Sequence, residues 1–254
     1  MVLAIVQARI SSTRLPGKVL MPILGRPMLW RQLERVKLGK SIDHLIVATS
    51  DQPEDRQLVD MCREFGVECY CGSLDDVLDR FYRAASHYDA DHIVRLTGDC
   101  PVSDPQVIDA VIEYYRSGNC DYASNGNPFT FPDGLNVEVM RFDCLEHAWR
   151  DAKLPSQREH VTPFIWQQPE RFKLANFIHD PDLSHLRWTV DEPEDFEFIT
   201  KVYEALYPDN PTFTMTNILR FLEDHPELSD LNAGFERNEG FKKSLMEDKA
   251  KGNL

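Results

Sequence analysis

The first 124 residues alternate between short apolar segments and longer segments of helical periodicity. Leu3 to Gln7 is a continuous apolar run that stops at a polar loop, which is the pattern of a strand buried on both faces. A helix is predicted from Pro27, since Leu29 and Leu33 then recur at helical spacing. The alternation continues with strands predicted at 44–49, 67–70, 93–97 and 122–124 and helices at 54–65, 75–88 and 105–117. This order predicts an α/β fold, a mostly parallel sheet with helices on both faces.

The pattern changes after residue 126. Pro128, Pro132 and Gly134 mark a loop, and apolar and polar residues then alternate from Leu135 to Val139, as in a strand exposed on one face. We therefore predict an inserted lobe at about 127–185 within a single domain that covers residues 1–227. The later periodicity predicts helices near 143–153 and 157–167, a strand near 172–178, a return of the sheet at 187–190 and a helix from Pro193. Residues 228–254 are polar, which predicts a tail packed over the body or partly disordered.

Positive charge is concentrated at the start of an acidic chain. The formal net charge is -14, yet residues 1–40 contain eight Lys or Arg and one acid, Glu34, so this segment carries +7 and the remainder -21. An acidic surface over most of the molecule repels a nucleic-acid backbone. The distribution therefore argues against a polynucleotide partner and favours a small, enclosed anionic ligand such as a nucleotide.

Two further features indicate the compartment. The chain has no run of about 18 apolar residues, so we expect no membrane-spanning segment. The apolar start is too short for a secretory signal and has no basic residues before it, which favours a cytoplasmic protein. The six cysteines lack the paired spacing of a zinc site, and in a reducing compartment they need not be bridged.

The most informative local stretch is ARISSTRLPGK, Ala8 to Lys18, directly after the first predicted strand. Parallel α/β sheets bind ligands beyond the carboxyl ends of their strands, so position and charge agree. Arg14 supplies a planar guanidinium and Lys18 a point charge, while Ser12 and its neighbours supply hydroxyl and backbone donors. Gly17 allows the chain a close approach. The stretch suits a polyphosphate; the alternative is an ordinary solvated basic loop.

Two aspartates are predicted to lie at the same edge of the sheet. Asp99, in RLTGDCP, and Asp191, in WTVDEPEDF, each follow a predicted strand. Such a pair can hold Mg²⁺, with water and phosphate oxygens completing the octahedron. The alternative for single aspartates is helix capping, as expected for Asp104 before Pro105 and for Asp191 two residues before Pro193.

These motifs together resemble a known family. ARISSTRLPGK is similar to the N-terminal signature of the cytidylyltransferases that activate sugar acids, the CMP-Kdo and CMP-acylneuraminate synthetases. The whole chain resembles most closely the spore-coat polysaccharide biosynthesis cytidylyltransferases. The similarity continues in order through GSLDDVLDRF (72–81), TGDCP (97–101), DGLNVEV (133–139), REHVTPF (158–164) and TVDEPEDF (189–196).

The resemblance implies a Rossmann-like sheet of the nucleotide-diphospho-sugar transferase type, with an inserted dimerisation lobe and hence a homodimer. It also implies an Mg²⁺-dependent enzyme that transfers CMP from CTP to an acidic sugar or phosphorylated metabolite. Pyrophosphate would be released, and the product would enter surface polysaccharide synthesis. The acceptor would therefore be a small anionic molecule.

The resemblance also assigns residues to roles. The triphosphate would be bound by Ala8, Arg9, Ser12, Arg14 and Lys18, and the base and ribose by Gly72, Ser73, Asp79 and Arg80. Asp99 and Asp191 would ligate Mg²⁺, and Asn136, Glu138, Arg158 and His160 would surround the acceptor. Arg14, Lys18 and Asp99 would carry the catalysis, because cations and Mg²⁺ stabilise the charge that develops on phosphoryl oxygens.

Departures from the family leave some points open. Gln7 replaces a proline and Cys100 follows Asp99 where the family usually has another residue, so the acceptor could attack through a hydroxyl or through a phosphate. CTP is favoured as donor, with GTP and UTP not excluded. The general base is left open.

Two other classes of protein also fit parts of the sequence. A nucleotide-sugar glycosyltransferase would share the parallel sheet, and Asp89 and Asp91 form an Asp-x-Asp; Asp91 opens a strand rather than ending one, however. The second class is a non-catalytic nucleotide-binding subunit. Such a subunit would not need Asp99 and Asp191 together with Arg14 and Lys18, so the presence of all four disfavours it.

Overall fold

The computed structural model describes residues 1–252. Its strands are β1 (Val2–Gln7), β2 (Pro22–Ile23), β3 (Arg26–Pro27), β4 (His44–Ser50), β5 (Glu68–Gly72), β6 (His92–Thr97), β7 (Tyr122–Ser124), β8 (Glu138–Arg141) and β9 (Leu174–Asn176). Its α-helices are α1 (Met28–Val36), α2 (Arg56–Phe65), α3 (Val77–His87), α4 (Pro105–Ser117), α5 (Phe142–Asp151), α6 (Pro155–His160), α7 (Pro163–Trp166), α8 (Pro193–Leu206), α9 (Met215–Asp224) and α10 (Glu239–Ala250). None of the helices within this range has the length and apolar character that crossing a membrane requires.

Seven of the strands form one sheet in the order β5-β4-β1-β6-β8-β7-β9. β1 lies between β4 and β6 and is parallel to both, with Ile5 paired to Ile46 on one side and to Arg95 on the other. β8 is antiparallel to its neighbours β6 and β7, while β5 and β9 are parallel to theirs. The predicted mostly parallel sheet is therefore confirmed. β2 and β3 form a separate two-stranded ribbon.

Helices cover both faces of this sheet. Successive residues of a strand point to opposite faces, and β1 places Val6 in the hydrophobic cluster that contains Leu29 of α1 and Ile5 in the cluster that contains Phe81 of α3. All four of these residues are fully buried. The reading of Leu3 to Gln7 as a strand buried on both faces is confirmed, and this double burial fixes the carboxyl end of β1 in place.

Part of the secondary structure predicted for the chain after residue 126 is wrong. The helix predicted at 157–167 is two short helices, α6 and α7, because Val161 adopts a positive φ of 70° and Pro163 starts the second helix. The strand predicted at 172–178 is shortened to β9. The segment 187–190 is not a strand, because its amides bond to loops: Trp188 N donates to Asp133 O and Val190 N to Asp99 O.

The segment predicted as an inserted lobe contributes β8 and β9 to the main sheet and α5, α6 and α7 to one of its faces. The beginning of the predicted tail is a short 3₁₀ helix, Pro226–Asp230, and its end is α10, which packs on α6. Residues 253–254 of the predicted tail lie outside the described residues. α10 thereby comes to lie beside the loops that follow the parallel strands.

Candidate active site

A cavity of about 1040 Å³ opens beyond the carboxyl ends of β1 and β6. It is lined by most of the residues that the sequence assigned to a site: Ala8, Arg9, Ser12, Arg14, Lys18, Arg80, Asp99, Asn136, Glu138, Arg158, His160 and Asp191. Gly72, Ser73 and Asp79 lie outside this lining. Residues that are distant in the sequence thus meet at the edge of the sheet where a parallel α/β fold binds ligands.

The loop after β1 is anchored at its base. Ile10 N donates to Asp55 Oδ1 at 2.7 Å, and the other oxygen of this buried carboxylate accepts from Ser50 N at 3.2 Å. Gly17 adopts a φ of +72°, and its N–H donates to Ile10 O at 3.0 Å. The sequence does not reveal that Asp55 anchors this loop, because the two residues that form the hydrogen bond are 45 positions apart. The loop is therefore held in one conformation from below.

Gly98 allows the ends of β1 and β6 to approach each other. A Cβ at this position would lie 2.8 Å from Gln7 O and 2.9 Å from Ala8 Cβ, closer than real Cβ contacts. Gly98 N also donates to Gln7 O at 2.8 Å. The glycine of the TGDCP motif is thus explained by packing, and it brings Asp99 next to the cationic loop.

Lys18 lies between the two predicted metal-binding aspartates. Its Nζ is 2.8 Å from Asp191 Oδ1, 2.7 Å from Val190 O and 3.6 Å from Asp99 Oδ2. Burial lowers the pKa of Lys18, but the two carboxylates outweigh this effect and the pKa is raised overall. Burial likewise raises the pKa of Asp99, and the Lys18 ammonium reverses this and lowers it. Lys18 and Asp99 are therefore both ionised at neutral pH.

Arg14 completes this charged group at the mouth of the cavity. Its guanidinium lies 2.9 Å from Asp191 Oδ1, 3.3 Å from Glu192 Oε1 and 3.1 Å from Glu239 Oε2 of α10. The side chain is 35% exposed, so these pairs are open to solvent. Arg14 and Lys18, two of the three predicted phosphate-binding cations, thus have carboxylate partners, which an incoming anion would have to replace.

Asp191 is not the cap of α8. Asp195 Oδ2 accepts from Asp191 N and from Glu192 N, each at 2.9 Å, and thereby satisfies the helix start. Asp195 is fully buried and forms a two-fold contact with Arg187, with both N–O distances 2.8 Å. The Asp191 side chain is left free to face Lys18 and Arg14. The capping reading of Asp191 is wrong, whereas Asp104 does cap α4 through Gln106 N at 2.8 Å.

The donor set suits a magnesium ion. Mg²⁺ in proteins is often held by one or two carboxylates, with water and substrate phosphates as the other ligands. Asp99 Oδ2 and Asp191 Oδ1 lie 3.6 and 2.8 Å from the same Lys18 ammonium, so the two carboxylates are close to one point. No group of three or more His, Cys, Asp or Glu side chains with metal-binding geometry occurs within residues 1–252. The residues therefore fit an ion that needs its substrate to complete the coordination, rather than a closed structural site.

The far side of the cavity is a hydrogen-bonded network around Glu138. This carboxylate accepts from Tyr122 Oη at 2.5 Å, from Thr162 Oγ1 at 2.6 Å and from the Arg95 guanidinium. Gln7 Oε1 accepts from Arg95 Nε at 3.1 Å, so the residue that departs from the family orients this guanidinium. The network gives this side of the cavity fixed hydrogen-bond donors and acceptors.

The other predicted ligand residues already have partners. Arg158 uses its guanidinium on both oxygens of Asp76 and on Trp149 O, and Asn136 Oδ1 accepts from Arg237 at 2.6 Å. Asp79 accepts from Trp149 Nε1 at 2.8 Å and pairs with Arg83. Their assignments as ligand residues stay predictions. Burial, together with Arg9, lowers the pKa of Arg80 to about 10.

Two alternative chemistries lose support. Asp91 precedes the amino end of β6, at the opposite edge of the sheet, and its carboxylate binds the N-terminal ammonium of Met1. The Asp-x-Asp is thus remote from the cavity. Burial raises the pKa of the Cys100 thiol, and Asp99 beside it adds to the rise, so this cysteine is not a ready nucleophile.

The fold and the cavity define a Rossmann-like α/β protein with an anion site beyond the carboxyl ends of its parallel strands. The chain belongs to the cytidylyltransferase family, whose sequence model matches residues 3–236. It is 39% identical to an uncharacterised protein of Methanocaldococcus jannaschii, over 91% of this chain and 94% of that one. It is 33% identical to the spore coat polysaccharide biosynthesis protein SpsF of Bacillus subtilis, over 89% of this chain and 95% of the relative.

A solved structure shows the same fold. A cytidylyltransferase of Leptospira borgpetersenii superimposes with a TM-score of 0.86 at 30% sequence identity, over 93% of this chain and 99% of the other. The match to the family ends at Glu236, three residues before α10 begins. The family resemblance inferred from the motifs is confirmed, and α10 lies beyond the part that the family model matches.

Proposed function

We propose that the protein transfers CMP from CTP to a small anionic acceptor and releases pyrophosphate. Family membership supports the cytidylyl group, and the relation to a spore coat polysaccharide protein supports a role in polysaccharide precursor synthesis. The observation that carries the proposal is the position of Lys18 and Arg14, which lie beside the carboxylates of Asp99 and Asp191 at one edge of the cavity. Such a group of fixed cations and carboxylates suits a metal-bound triphosphate better than a neutral ligand.

In this reaction the acceptor oxygen attacks the α-phosphorus in line and pyrophosphate departs. Arg14 and Lys18 exchange their carboxylate partners for oxygens of the departing pyrophosphate, where charge-assisted hydrogen bonds are roughly twice as strong as neutral ones. These contacts accelerate the reaction insofar as they strengthen when charge moves onto the leaving group. Because the loop is pinned by Asp55, little reorganisation is needed at that moment.

Asp99 and Asp191 are the residues that would hold Mg²⁺. When bound, the ion would neutralise phosphoryl charge and orient the oxygens of the triphosphate. Arg187 and Asp195 then have a supporting task, since Asp195 fixes the backbone of Asp191 through two hydrogen bonds. A second subunit, formed through residues 127–185 as the resemblance implies, is part of the same proposal.

The test measures pyrophosphate release from CTP and Mg²⁺ with a panel of sugar acids and phosphorylated sugars. We expect release with at least one acceptor, and we expect Asp99→Asn and Lys18→Ala to lower it by at least about 100-fold. Asp60→Asn and Lys201→Ala, at exposed helix positions, serve as matched controls and should retain the wild-type rate.

Two results would contradict the proposal. Sugar transfer from a nucleotide sugar, with no pyrophosphate released from any nucleoside triphosphate, would identify a glycosyltransferase. Tight CTP binding with no turnover across the whole panel would identify a non-catalytic nucleotide-binding subunit.

A further inference from the structure

One wall of the cavity is formed by α10, the helix that follows the family match. α10 docks on α6 through Phe241, Ser244 and Asp248, which lie on one face of the helix at spacings of three and four. Asp248 is fully buried, and its Oδ2 accepts from Ser156 N at 3.2 Å. This contact satisfies an amide in the first turn of α6, where the preceding residue, Leu154, has no side-chain oxygen. α10 is therefore fixed in register against the helix that ends in His160.

Ser244 contacts the Nε2 nitrogen of His160 and two oxygen atoms. Ser244 Oγ lies 3.0 Å from His160 Nε2, 2.8 Å from Glu159 Oε2 and 3.1 Å from Gly240 O. A hydroxyl has one proton to donate, and carboxylate and carbonyl oxygens can only accept. The nearest of the three partners is the Glu159 carboxylate, which attracts the Ser244 proton most strongly, and with the proton there the imidazole donates from Nε2 to Ser244. A neutral imidazole protonated on Nε2 has a bare Nδ1.

The bare nitrogen is available to a ligand. The His160 ring lines the cavity, and its Nδ1 has no hydrogen-bond partner within residues 1–252. Nor is Nδ1 one of the enclosed polar atoms that lack a partner in this part of the chain, so it reaches open space. Phe241 stands edge-on to the ring at 5.1 Å between centroids and limits its rotation. Burial lowers the pKa of His160 to about 4, which keeps the ring neutral at neutral pH.

We propose that His160 is the general base of the reaction, that Ser244 is its positioning residue, and that the acceptor attacks through a hydroxyl group. This inference rests on the proposed transfer of CMP. The acceptor O–H bond breaks and its proton moves to Nδ1, while the acceptor oxygen bonds to the α-phosphorus. The bond from the α-phosphorus to the bridging oxygen breaks, and pyrophosphate leaves with that electron pair. The imidazolium then returns its proton to solvent.

A base at this position restricts the class of acceptor. A phosphate acceptor is already ionised at neutral pH and brings no proton that must be removed, whereas a hydroxyl does. The product is then a CMP ester and not a diphosphate. Binding of CTP also changes the pKa of His160. Arg9 and Arg95 lower this pKa, and a triphosphate bound to Arg9 neutralises part of that effect. The pKa therefore moves toward neutral in the complex, where a general base works best.

The position of the proton can be tested without an acceptor. In the full-length protein labelled with ¹⁵N-histidine, two-bond ¹H–¹⁵N spectra distinguish the two neutral tautomers, and a His160→Gln variant assigns the signal. We expect the Nε2–H tautomer in the wild type, a mixture in Ser244→Ala, and recovery in Ser244→Thr. The Nδ1–H tautomer or an imidazolium at neutral pH in the wild type would overturn the inference.

The catalytic role is tested with Mg²⁺, CTP and two groups of acceptors, sugar acids such as Kdo and phosphorylated sugars. We expect pyrophosphate release with a hydroxyl acceptor only, and a CMP ester by phosphorus NMR. His160→Gln should lower kcat by at least about 100-fold with the Kd for CTP unchanged, and the fall in kcat at acidic pH should disappear. Unchanged CTP binding also shows that the variant is folded. Ser244→Ala should lower kcat by about tenfold and Ser244→Thr should restore it.

Several charged groups surround the cavity side of His160 and contribute to its pH profile: Glu159 of α6, Arg95 of β6, Glu138 of β8, Arg9 of the loop, and Lys243 and Glu247 of α10.

Two variants serve as matched controls. Ser86→Ala removes an exposed helix serine that donates to the carbonyl four residues earlier, and His225→Gln removes an exposed histidine. Wild-type kcat and pH profile in His160→Gln, or a diphosphate product, would overturn the inference while CMP transfer stands. No pyrophosphate from the wild type would instead refute the proposed function.

Discussion

The cavity has two walls that are built in different ways. The strand-end wall contains Lys18, Asp99 and Asp191, held by parallel strands and by the fully buried carboxylate of Asp195. The α10 wall contains Glu239 and Ser244 and docks through the Phe241 ring and through polar contacts of Ser244 and Asp248, and Met246 on its outer face is 69% exposed. Buried apolar area is what holds an element against local opening. The contrast predicts that Lys18, Asp99 and Asp191 stay in place when α10 opens, because less buried apolar area holds α10 against the rest of the protein.

The largest effect is expected where the strand-end wall depends on a buried charge. Asp195→Ala leaves the buried Arg187 guanidinium without its two 2.8 Å partners and frees the amide of Asp191. Removing one partner of a buried ion pair costs about 3–5 kcal/mol. Urea unfolding should show this loss of unfolding free energy. Glu197→Ala, on an exposed face of the same helix, should change it by less than about 0.5 kcal/mol. A loss below about 1 kcal/mol in Asp195→Ala would mean that the pair does not hold this wall.

A smaller effect is expected from crowding the contact between β1 and β6. In Gly98→Ala the added methyl would meet Gln7 O at 2.8 Å, and such overpacking costs about 1–3 kcal/mol. Because the strain falls at the base of the cationic loop, CTP affinity should fall along with stability. Gly234→Ala, on the segment that leads to α10, has open space around the new methyl and serves as the matched control. Equal unfolding free energies for the two variants would contradict the close-packing account.

The strand-end wall could be predicted from the sequence because its determinants are local. A continuous apolar run followed by a polar loop predicts a strand end, and Lys18 and Asp99 follow β1 and β6 in this way. Asp191 follows a segment that is not a strand, and backbone hydrogen bonds to loops hold that segment in place. Parallel strands bring their ends to one edge, so placement follows from the fold. Asp195 stands inside the TVDEPEDF motif but gave no signal of its own, since its partner Arg187 is recognised only once the chain has folded.

The α10 wall could not be predicted from the sequence. Residues 239–250 are polar and lack a strong apolar stripe, and the contacts that dock them, from Ser244 and Asp248, join positions more than 80 residues apart. The split between α6 and α7 was also missed, because the positive φ of Val161 is imposed by the tertiary structure and not by the residue itself. Long-range polar contacts have no period along the chain, so periodicity cannot reveal them.

Acidification should weaken the α10 side through His160. Burial lowers the pKa of this histidine to about 4 in the folded state, whereas the unfolded chain has an ordinary value. Between these two values the unfolded state binds the additional proton, so stability falls as the pH falls from near 6.5 to near 4. From about pH 7 to about pH 5 the wild type should lose about 1–2 kcal/mol more than His160→Gln in urea unfolding. Identical pH dependence in the two proteins would show that His160 titrates normally.

The smallest effect is expected where the two walls meet, at Glu239 and Arg14. Their charged atoms are 3.1 Å apart and both side chains are well exposed, so the pair contributes at most about 1 kcal/mol. In Glu239→Gln the triphosphate no longer competes with this carboxylate for Arg14, and calorimetry should show CTP binding about two- to fivefold tighter with unfolding free energy unchanged.

The matched control is Glu247→Gln, which removes one negative charge from the same helix. Glu247 also lines the cavity, but among the described residues it forms no ion pair with Arg14. A gain confined to Glu239→Gln that shrinks at high salt identifies a direct pair, since exposed pairs are screened over about 10 Å at moderate ionic strength. Equal gains in both variants would instead mean that α10 acts on CTP through its overall charge. In that case the two walls would be coupled by long-range electrostatics and not by contact.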